Sequence, residues 1–327
     1  MIFIPALFLA IATNQGGTAD AVSLGRVFKA NTKLAYAMRS SLHSESRAYP
    51  LQTWIPSDLD INYDFSEVVQ AMKTDGIAQM RYRRPTIYEV HGETFNEPEK
   101  TDTVKANMDY QLTVSPFNEI LEVKDLSPKK PAKNLSLIPA LKPAAPQEGD
   151  FIGPFLQELF RLALFAGSMD SALDFAPKTP FNPVKVGDTW KRTVGYQPQK
   201  LKGKEGKQAV QRLDYTYTYK GLVDGEKGKV YRVEATLDFT TDLADFIHQI
   251  TESTSEETGL GKFPLVFKAT ILFDLDRVTK DTIKAEANSE ASFQVIQPNK
   301  QQALLEEKMK GHTTLRLVGR AAVPPAK

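Results

Sequence analysis

Histidine offers the widest range of chemistry in this sequence, because imidazole binds metals and exchanges protons near neutral pH. The chain has four histidines, His43, His91, His248 and His312. No two are spaced four positions apart and no H-E-x-x-H motif occurs, so a zinc site would need ligands from distant strands. We expect each histidine on the surface or in a loop, and we predict no metal and no other cofactor.

A series of side chains with carboxylate or amide oxygens has the spacing of calcium ligands, since calcium loops place oxygen ligands at alternate positions. The series is Asp58, Asp60, Asn62 and Asp64. Its sixth position is Tyr63, where a calcium loop has glycine, and its twelfth is Val69, where the loop has glutamate. Apolar residues fill the positions between, which indicates the solvated face of a β-strand.

Other catalytic signatures are missing from the sequence. It contains no G-x-S-x-G motif, no P-loop and no G-x-G-x-x-G motif. Ser127 and Lys130 have a serine-x-x-lysine spacing, but they lie in a proline-rich stretch without the other elements of such hydrolases. The chain also lacks cysteine, which excludes disulfides and thiolate chemistry. These observations favour a non-catalytic protein over an enzyme.

The bulk composition is that of an ordinary globular protein. Of 327 residues, 41% are hydrophobic and 25% are charged, and the net charge is +1. A chain so close to neutrality has no global field to gather nucleic acid or anionic lipid. We therefore expect no nucleic-acid partner.

The first residues are typical of an export signal. The run "MIFIPALFLAIA" is too short for a transmembrane helix, which needs about 20 residues, and no later stretch is apolar enough to span a bilayer. Ala19 and Ala21 form a cleavage site of the A-x-A type. We predict a signal peptide over residues 1–21 and a periplasmic or extracellular protein. No lysine or arginine precedes the run, so a buried strand is the alternative.

Period-two alternation of apolar and polar residues runs through most of the chain and predicts long antiparallel strands. In the first half the apolar faces include Phe28, Leu34, Tyr36, Met38, Leu59, Ile61, Tyr63, Phe65, Ala78, Met80, Tyr82, Leu112, Val114, Leu121 and Val123. In the second half they include Leu213, Tyr215, Tyr217, Val233, Ala235, Phe267, Ala269, Ile271, Phe273, Ala285, Ala287, Phe293 and Val295. The sequence from 300 to 311 fits either a last helix or a strand.

A glycine motif opens each half. "VSLGRVFK" and "VKVGDTWK" share valine, a branched aliphatic residue, glycine, an aromatic residue and lysine at the same positions. We expect Gly25 and Gly187 to serve a bend or bulge, and Phe28 and Trp190 to cover one end of the core. Because the same hairpins follow each motif, we interpret the chain as a duplication. The alternative is that any antiparallel meander alternates in this way.

The duplication predicts a first β repeat over residues 22–126 and a second over 177–320, followed by a short tail over 321–327. Both are antiparallel meanders that form curved sheets or an incomplete barrel, which makes the fold mainly β, within the α+β class. Residues 127–149 carry five prolines and are predicted to be a linker.

One apolar helical segment, residues 150–176, lies between the repeats. Its helix begins near Pro154 and stops near Gly167. The apolar arc of this helix is wider than one sheet face requires, so it could cover a ligand site. The side chains that we expect to line that site are Phe155, Leu159, Leu162 and Phe165.

The segment from Val184 to Trp190, with the tyrosine-rich hairpin behind it, resembles exported and largely uncharacterised bacterial envelope β-proteins. More loosely, long curved strands with an apolar helix are similar to the periplasmic lipoprotein carriers. The second resemblance implies an incomplete barrel that holds acyl chains beneath helices. No signature residue of those carriers transfers to this sequence.

Together these patterns favour a non-catalytic envelope protein that binds a hydrophobic or lipid-like ligand in a β concavity covered by a helix. The alternative is a structural or partner-binding envelope protein whose helix completes a fully packed core. A hydrolase with residues assembled from several strands is the least supported of the three.

Overall fold

The computed structural model describes residues 21–50, 53–93, 98–105, 107–127, 176–196, 211–251 and 254–324. Most of the predicted signal peptide, the linker and the apolar helical segment fall outside the described residues. The four side chains predicted to line a ligand site, Phe155, Leu159, Leu162 and Phe165, fall outside them as well.

The described part of the chain is mostly β-strand. Its strands are β1 (Thr32–Ala48), β2 (Ile55–Met72), β3 (Ala78–Arg84), β4 (Ile87–His91), β5 (Lys100–Val104), β6 (Met108–Val114), β7 (Ile120–Asp125), β8 (Thr189–Tyr196), β9 (Gln211–Gly225), β10 (Gly228–Asp242), β11 (Pro264–Leu275), β12 (Thr282–Ile296) and β13 (Ala303–Ala322). The mainly β class predicted from the alternation is confirmed.

Helix is scarce among the described residues. A 3₁₀ turn, Thr74–Gly76, joins β2 to β3, and two short helices, α1 (Ala244–Thr251) and α2 (Ser255–Thr258), join β10 to β11. Neither α-helix has the length or the apolar character to cross a bilayer.

All of these strands belong to one antiparallel sheet. Its main path runs β7-β6-β3-β2-β1-β13-β12-β11-β10-β9-β8, and β4 and β5 branch from β2. The join between the halves is β13, which pairs with β1 along its length on one side and with β12 on the other. The segment that fitted either helix or strand is thus part of a strand, and the two halves share one sheet.

The strand order is similar in the two halves. Along the main path, five strands of falling number precede β13, namely β7-β6-β3-β2-β1. Five strands of falling number also follow it, namely β12-β11-β10-β9-β8. A tandem duplication gives this arrangement, and so do two independent meanders. The duplication stays an interpretation.

The sheet curves so strongly that its two edges meet at one end. Eleven strands lying flat would separate the outermost strands by roughly 48 Å. Instead, Lys178 bridges them: its ammonium donates to the carbonyl of Asn118 in the β6–β7 turn, and its carbonyl accepts from Trp190 Nε1 of β8 at 2.6 Å. Because β7 and β8 do not pair, the sheet stays open and does not close into a barrel.

One face of the sheet, the inner face, is buried across most of its width. Met38, Tyr63 and Leu213 are each at most 1% exposed, as the alternation predicts. The pattern fails at β7, where Leu121 and Val123 are 52% and 49% exposed. The predicted strand is present there, but as the last strand of the path it has a neighbour on one side only, so its apolar residues face solvent.

Candidate binding site

Side chains of the inner face form rows that cross the sheet from strand to strand. The central row contains, in register, Glu89, Ile61, Ser40, Thr313, Ala287, Ile271, Ala235, Tyr217 and Trp190. All of its members are buried except Trp190, which is partly buried. Strands from both halves therefore build one continuous inner surface.

The middle of this surface is lined by small side chains. Along β12 the consecutive inward positions are Ala285, Ala287, Ser289 and Ala291, each at most 7% exposed, and we call them the β12 trough. The trough is roughly 20 Å long, at about 3.4 Å per residue. Small side chains leave room above a sheet that larger neighbours do not.

Larger side chains flank the two ends of the β12 trough, whereas at Ser289 the neighbours are Ala269 of β11 and Gly311 of β13. Phe273 of β11 and Leu315 of β13 lie opposite Ala285, and Phe267 of β11 and Met309 of β13 lie opposite Ala291. The result is a strip of small side chains bounded by large apolar residues at both ends, a surface that would suit an elongated apolar occupant.

Aromatic rings line the inner face further from the trough. In the first half, Tyr36 stacks on Phe65 at 5.0 Å between ring centroids, and Phe65 contacts Tyr82 at 5.2 Å. In the second half, Trp190 stacks on Tyr217 at 5.6 Å. Ring pairs of this kind add about 0.5–1.5 kcal/mol each beyond the area that they bury, so they stabilise both sides of the sheet.

Polar groups on the inner face form specific contacts. At the seam between β1 and β13, the hydroxyls of Ser40 and Thr313 lie 3.0 Å apart and hydrogen-bond each other. On β4, His91 Nε2 lies 3.7 Å from Glu89 Oε2, and both side chains are buried. The expectation that every histidine lies on the surface or in a loop is therefore wrong for His91. It occupies an inward position of a strand too short for alternation to reveal.

The other three histidines are at least partly exposed. His43 Nδ1 lies 2.7 Å from Asp58 Oδ1, and His312 Nδ1 lies 2.9 Å from Asn288 Oδ1, both on the outer face. His248 contacts the carbonyl of Leu260. Among the described residues no group of three or more histidine or carboxylate side chains is placed to hold a metal ion.

Glu307 of β13 is a carboxyl on the inner face. It is 6% exposed and lies in register with Ser46 of β1 and Phe293 of β12, beyond the Ala291 end of the trough. Burial raises the pKa of Glu307 to about 7, and a hydrogen bond with Ser44 lowers it only in part. The trough therefore ends at a carboxyl that changes its charge near neutral pH.

A buried ionic cluster lies beyond the Ala285 end of the trough, at the end of the sheet where its edges meet, which we call the closed end. Arg26 Nε lies 2.7 Å from Asp281 Oδ1, and Arg26 Nη2 lies 2.9 Å from Glu67 Oε2. Arg320 also contacts Asp281, at 2.7 Å. Burial alone lowers the pKa of Arg26, but the charges of Glu67 and Asp281 outweigh it and raise the pKa. The cluster ties the segment before β1 to both halves of the sheet.

The two glycine motifs lie at this closed end. Val22 and Val184 hydrogen-bond each other's backbone, so the segments that open the two halves pair directly. Phe28 is 9% exposed within the core. Gly187 has a φ of +91°, in a turn where the Asp188 amide donates to the Lys185 carbonyl, whereas no positive φ occurs at Gly25.

Because of this difference, the two glycines should respond differently to alanine. At Gly187 an alanine must adopt a left-handed conformation, which costs about 1–2 kcal/mol although nothing lies within 4 Å of the added Cβ. At Gly25 the nearest atom to an added Cβ is 3.7 Å away, an ordinary contact, so Gly25→Ala should change stability by less than about 0.5 kcal/mol. Urea denaturation of both variants checks this, and equal losses would contradict it.

Sequence reasoning located the inner face but missed the features at its centre. Ala285, Ala287 and Phe293 were assigned to an apolar face, yet their alternation gives no sign that the small residues lie side by side with larger ones on β11 and β13. Glu307 lies in the stretch that fitted either helix or strand, so its inward position could not be assigned.

No protein-family model matches this chain, and no curated protein matches it. Its fold is similar to that of lipovitellin, in a structure described as lipid–protein interactions in lipovitellin. The identity is 12% and the TM-score 0.43 over 92% of this chain, which spans 26% of the lipovitellin chain.

Two other solved structures are similar at lower TM-scores. One is a putative outer membrane lipoprotein-sorting protein domain from Vibrio parahaemolyticus, at 11% identity and a TM-score of 0.19, over 88% of this chain and 87% of that one. The other is a DUF1329 family protein from Desulfovibrio piger, at 9% identity and a TM-score of 0.14, over 86% and 85%.

Proposed function

We propose that this chain is an exported, non-catalytic protein of the cell envelope that binds a hydrophobic or lipid-like ligand against the inner face of its sheet. The observation that carries the proposal is the β12 trough, a line of small side chains with large apolar residues of β11 and β13 opposite its two ends. A methylene that leaves water for such a surface contributes about 0.8 kcal/mol, so an alkyl chain lying along the trough would bind without any charged contact.

The open sheet offers a route to the trough. A closed barrel would need a gap at its end, but here β7 and β8 are not paired to each other, and among the described residues their edges approach each other around Lys178. A ligand could therefore enter between the edges, away from the closed end.

The domain layout predicted from the sequence is part of this proposal. A cleaved segment over residues 1–21 directs export, and the linker and the helical segment connect the two β repeats. We propose that Phe155, Leu159, Leu162 and Phe165 of that helical segment face the ligand as its cover.

Filling the trough tests the proposal. Ala287→Trp places a large ring at its centre and should abolish co-purification of lipid and binding of a fluorescent fatty-acyl probe, while wild-type protein from its own compartment carries lipid in native mass spectrometry. Glu290→Trp is the matched control, because Glu290 is exposed on the outer face of the same strand and its replacement should leave binding unchanged.

The alternative, a structural or partner-binding protein with a packed core, is favoured by the low exposure of every trough residue, at most 7%. In that case the wild type carries no lipid and binds no probe. Ala287→Trp then overpacks the core and lowers the free energy of unfolding by about 1–3 kcal/mol. Lipid-free wild type together with this loss would overturn the binding proposal.

A further inference from the structure

We infer that Glu307, with the hydroxyls of Ser44, Ser46 and Ser57, forms the site for the head group of an amphiphilic ligand, and that the head group carries no negative charge. We call these four residues the Glu307 patch. The inference rests on the proposed function, since it assigns the polar end of the ligand whose alkyl chain lies in the β12 trough.

The position of the patch supports a head-group site. Ser44 is in register with Met309, which lies opposite Ala291 at the end of the trough, and Glu307 is in register with Phe293, the next inward residue of β12. An alkyl chain that follows the trough therefore ends beside the carboxyl. Past the Ala291 end of the trough, Phe293 stacks on Phe263 at 5.1 Å between ring centroids, so these two rings bound the apolar surface there.

The patch is polar within apolar surroundings, and its groups lie close together. The hydroxyl of Ser44 hydrogen-bonds the carboxyl of Glu307 and lies 3.5 Å from the carbonyl of Ser57. Ser44 is 6% exposed, like Glu307, and Ser46 and Ser57 are partly buried. Four adjacent polar residues at the end of an apolar depression can orient a ligand that has one polar end.

The Glu307 carboxyl has no cationic partner within the part of the chain that the structure describes. In the described ranges no lysine, arginine or histidine forms an ion pair with Glu307, and its altered pKa comes from burial, opposed by Ser44 alone. The neighbouring charged residues of β1 and β13, Glu45, Arg47, Glu306 and Lys308, are the outward members of the alternation, and Arg47 pairs with Glu306 there. Among the described residues, the other buried charged groups on this side of the sheet are Arg84, Glu89 and His91 near β4, and Arg26, Asp281 and Lys178 beyond the opposite end of the trough.

This environment determines which head groups fit. A hydroxyl or amide head can both donate to and accept from a carboxyl and serine hydroxyls. An ammonium head supplies the cation that the carboxylate lacks. A carboxylate or phosphate head would place a second negative charge beside Glu307 in a poorly solvated site, which is unfavourable.

Amphiphiles that share one alkyl chain test the inference. Binding of dodecanol, dodecylammonium and dodecanoate to the purified full chain would be measured by competition with a fluorescent probe at pH 8. Wild type should bind dodecanol and dodecylammonium at least about tenfold more tightly than dodecanoate. Glu307→Gln should tighten dodecanoate binding and weaken dodecylammonium binding, each by about tenfold, and leave dodecanol within about threefold.

Glu306→Gln is the matched control. It removes the adjacent carboxylate, which faces outward, and should leave the order of the three affinities unchanged. If all three amphiphiles bind wild type but Glu307→Gln preserves their order, the head-group inference is wrong and the proposed function stands. If wild type binds none of them, both are wrong.

Discussion

Replacing Arg26 by alanine is expected to lower the free energy of unfolding by about 3–5 kcal/mol, because it removes the cation that lies between the carboxylates of Glu67 and Asp281. The Arg26 and Asp281 side chains are 6% and 7% exposed, and that of Glu67 is 14% exposed. Arg320 still contacts Asp281 in the variant, so the greater part of the loss falls on Glu67. Urea denaturation at neutral pH measures the change.

Arg39→Ala is the control for this loss. Arg39 pairs with Asp64 at 3.1 Å, but these side chains are 50% and 71% exposed, and such surface pairs contribute about 0–1 kcal/mol. If Arg26→Ala lost no more stability than Arg39→Ala, the segment before β1 would not be held by its ion pairs. The closed end of the sheet would then depend on backbone hydrogen bonds, such as those that join Val22 to Val184, Arg26 to Pro116 and Val27 to Thr279.

Glu307→Gln is expected to stabilise the protein in a pH-dependent manner. Folding raises the pKa of Glu307 from an ordinary 4.5 to about 7, so between these values the folded state binds more protons than the unfolded state. Wild-type stability contributed by this group therefore falls as the pH rises through that window. At pH 8 the variant should be more stable by about 3 kcal/mol, and near pH 4 the difference should approach zero.

The measurement is urea denaturation of wild type and variant at several pH values from 4 to 8. Taking the difference between the two proteins removes the titration of the other carboxylates, which both share. Glu306→Gln, which loses an ion pair with Arg47 that is partly exposed, should show no pH-dependent gain between pH 5 and 8. Parallel curves for wild type and Glu307→Gln would mean that Glu307 is solvated.

The contrast between β2 and β13 shows how far sequence reasoning reaches. In β2 the run Leu59, Ile61, Tyr63 and Phe65 alternates with polar residues, and the structure buries all four. In β13 the residues around Glu307 mix apolar and charged side chains without a clear period, so neither the strand nor its inward face could be assigned. Pairing with β1 and β12 fixes both.

The candidate site likewise has one part that the sequence predicted and another that depends on strand pairing. Alternation assigned Ala285 and Ala287 to an apolar face, but a trough exists only relative to its neighbours. Those neighbours, Phe273 and Leu315, come from strands on either side of β12. The sequence also contained Arg26 within its first glycine motif without indicating its partners, since Glu67 and Asp281 are far away along the chain.

The sequence by itself determined the mainly β class, most of the strands and the inward face of most of them, because period-two alternation is a local property that the pleat imposes on each strand. The tertiary structure decided that both halves form one open sheet joined through β13, that its edges meet at Lys178, and that Glu307 lies at the end of the β12 trough. Each of these depends on which strands pair and in what register, and that choice is made by contacts between residues distant in the chain.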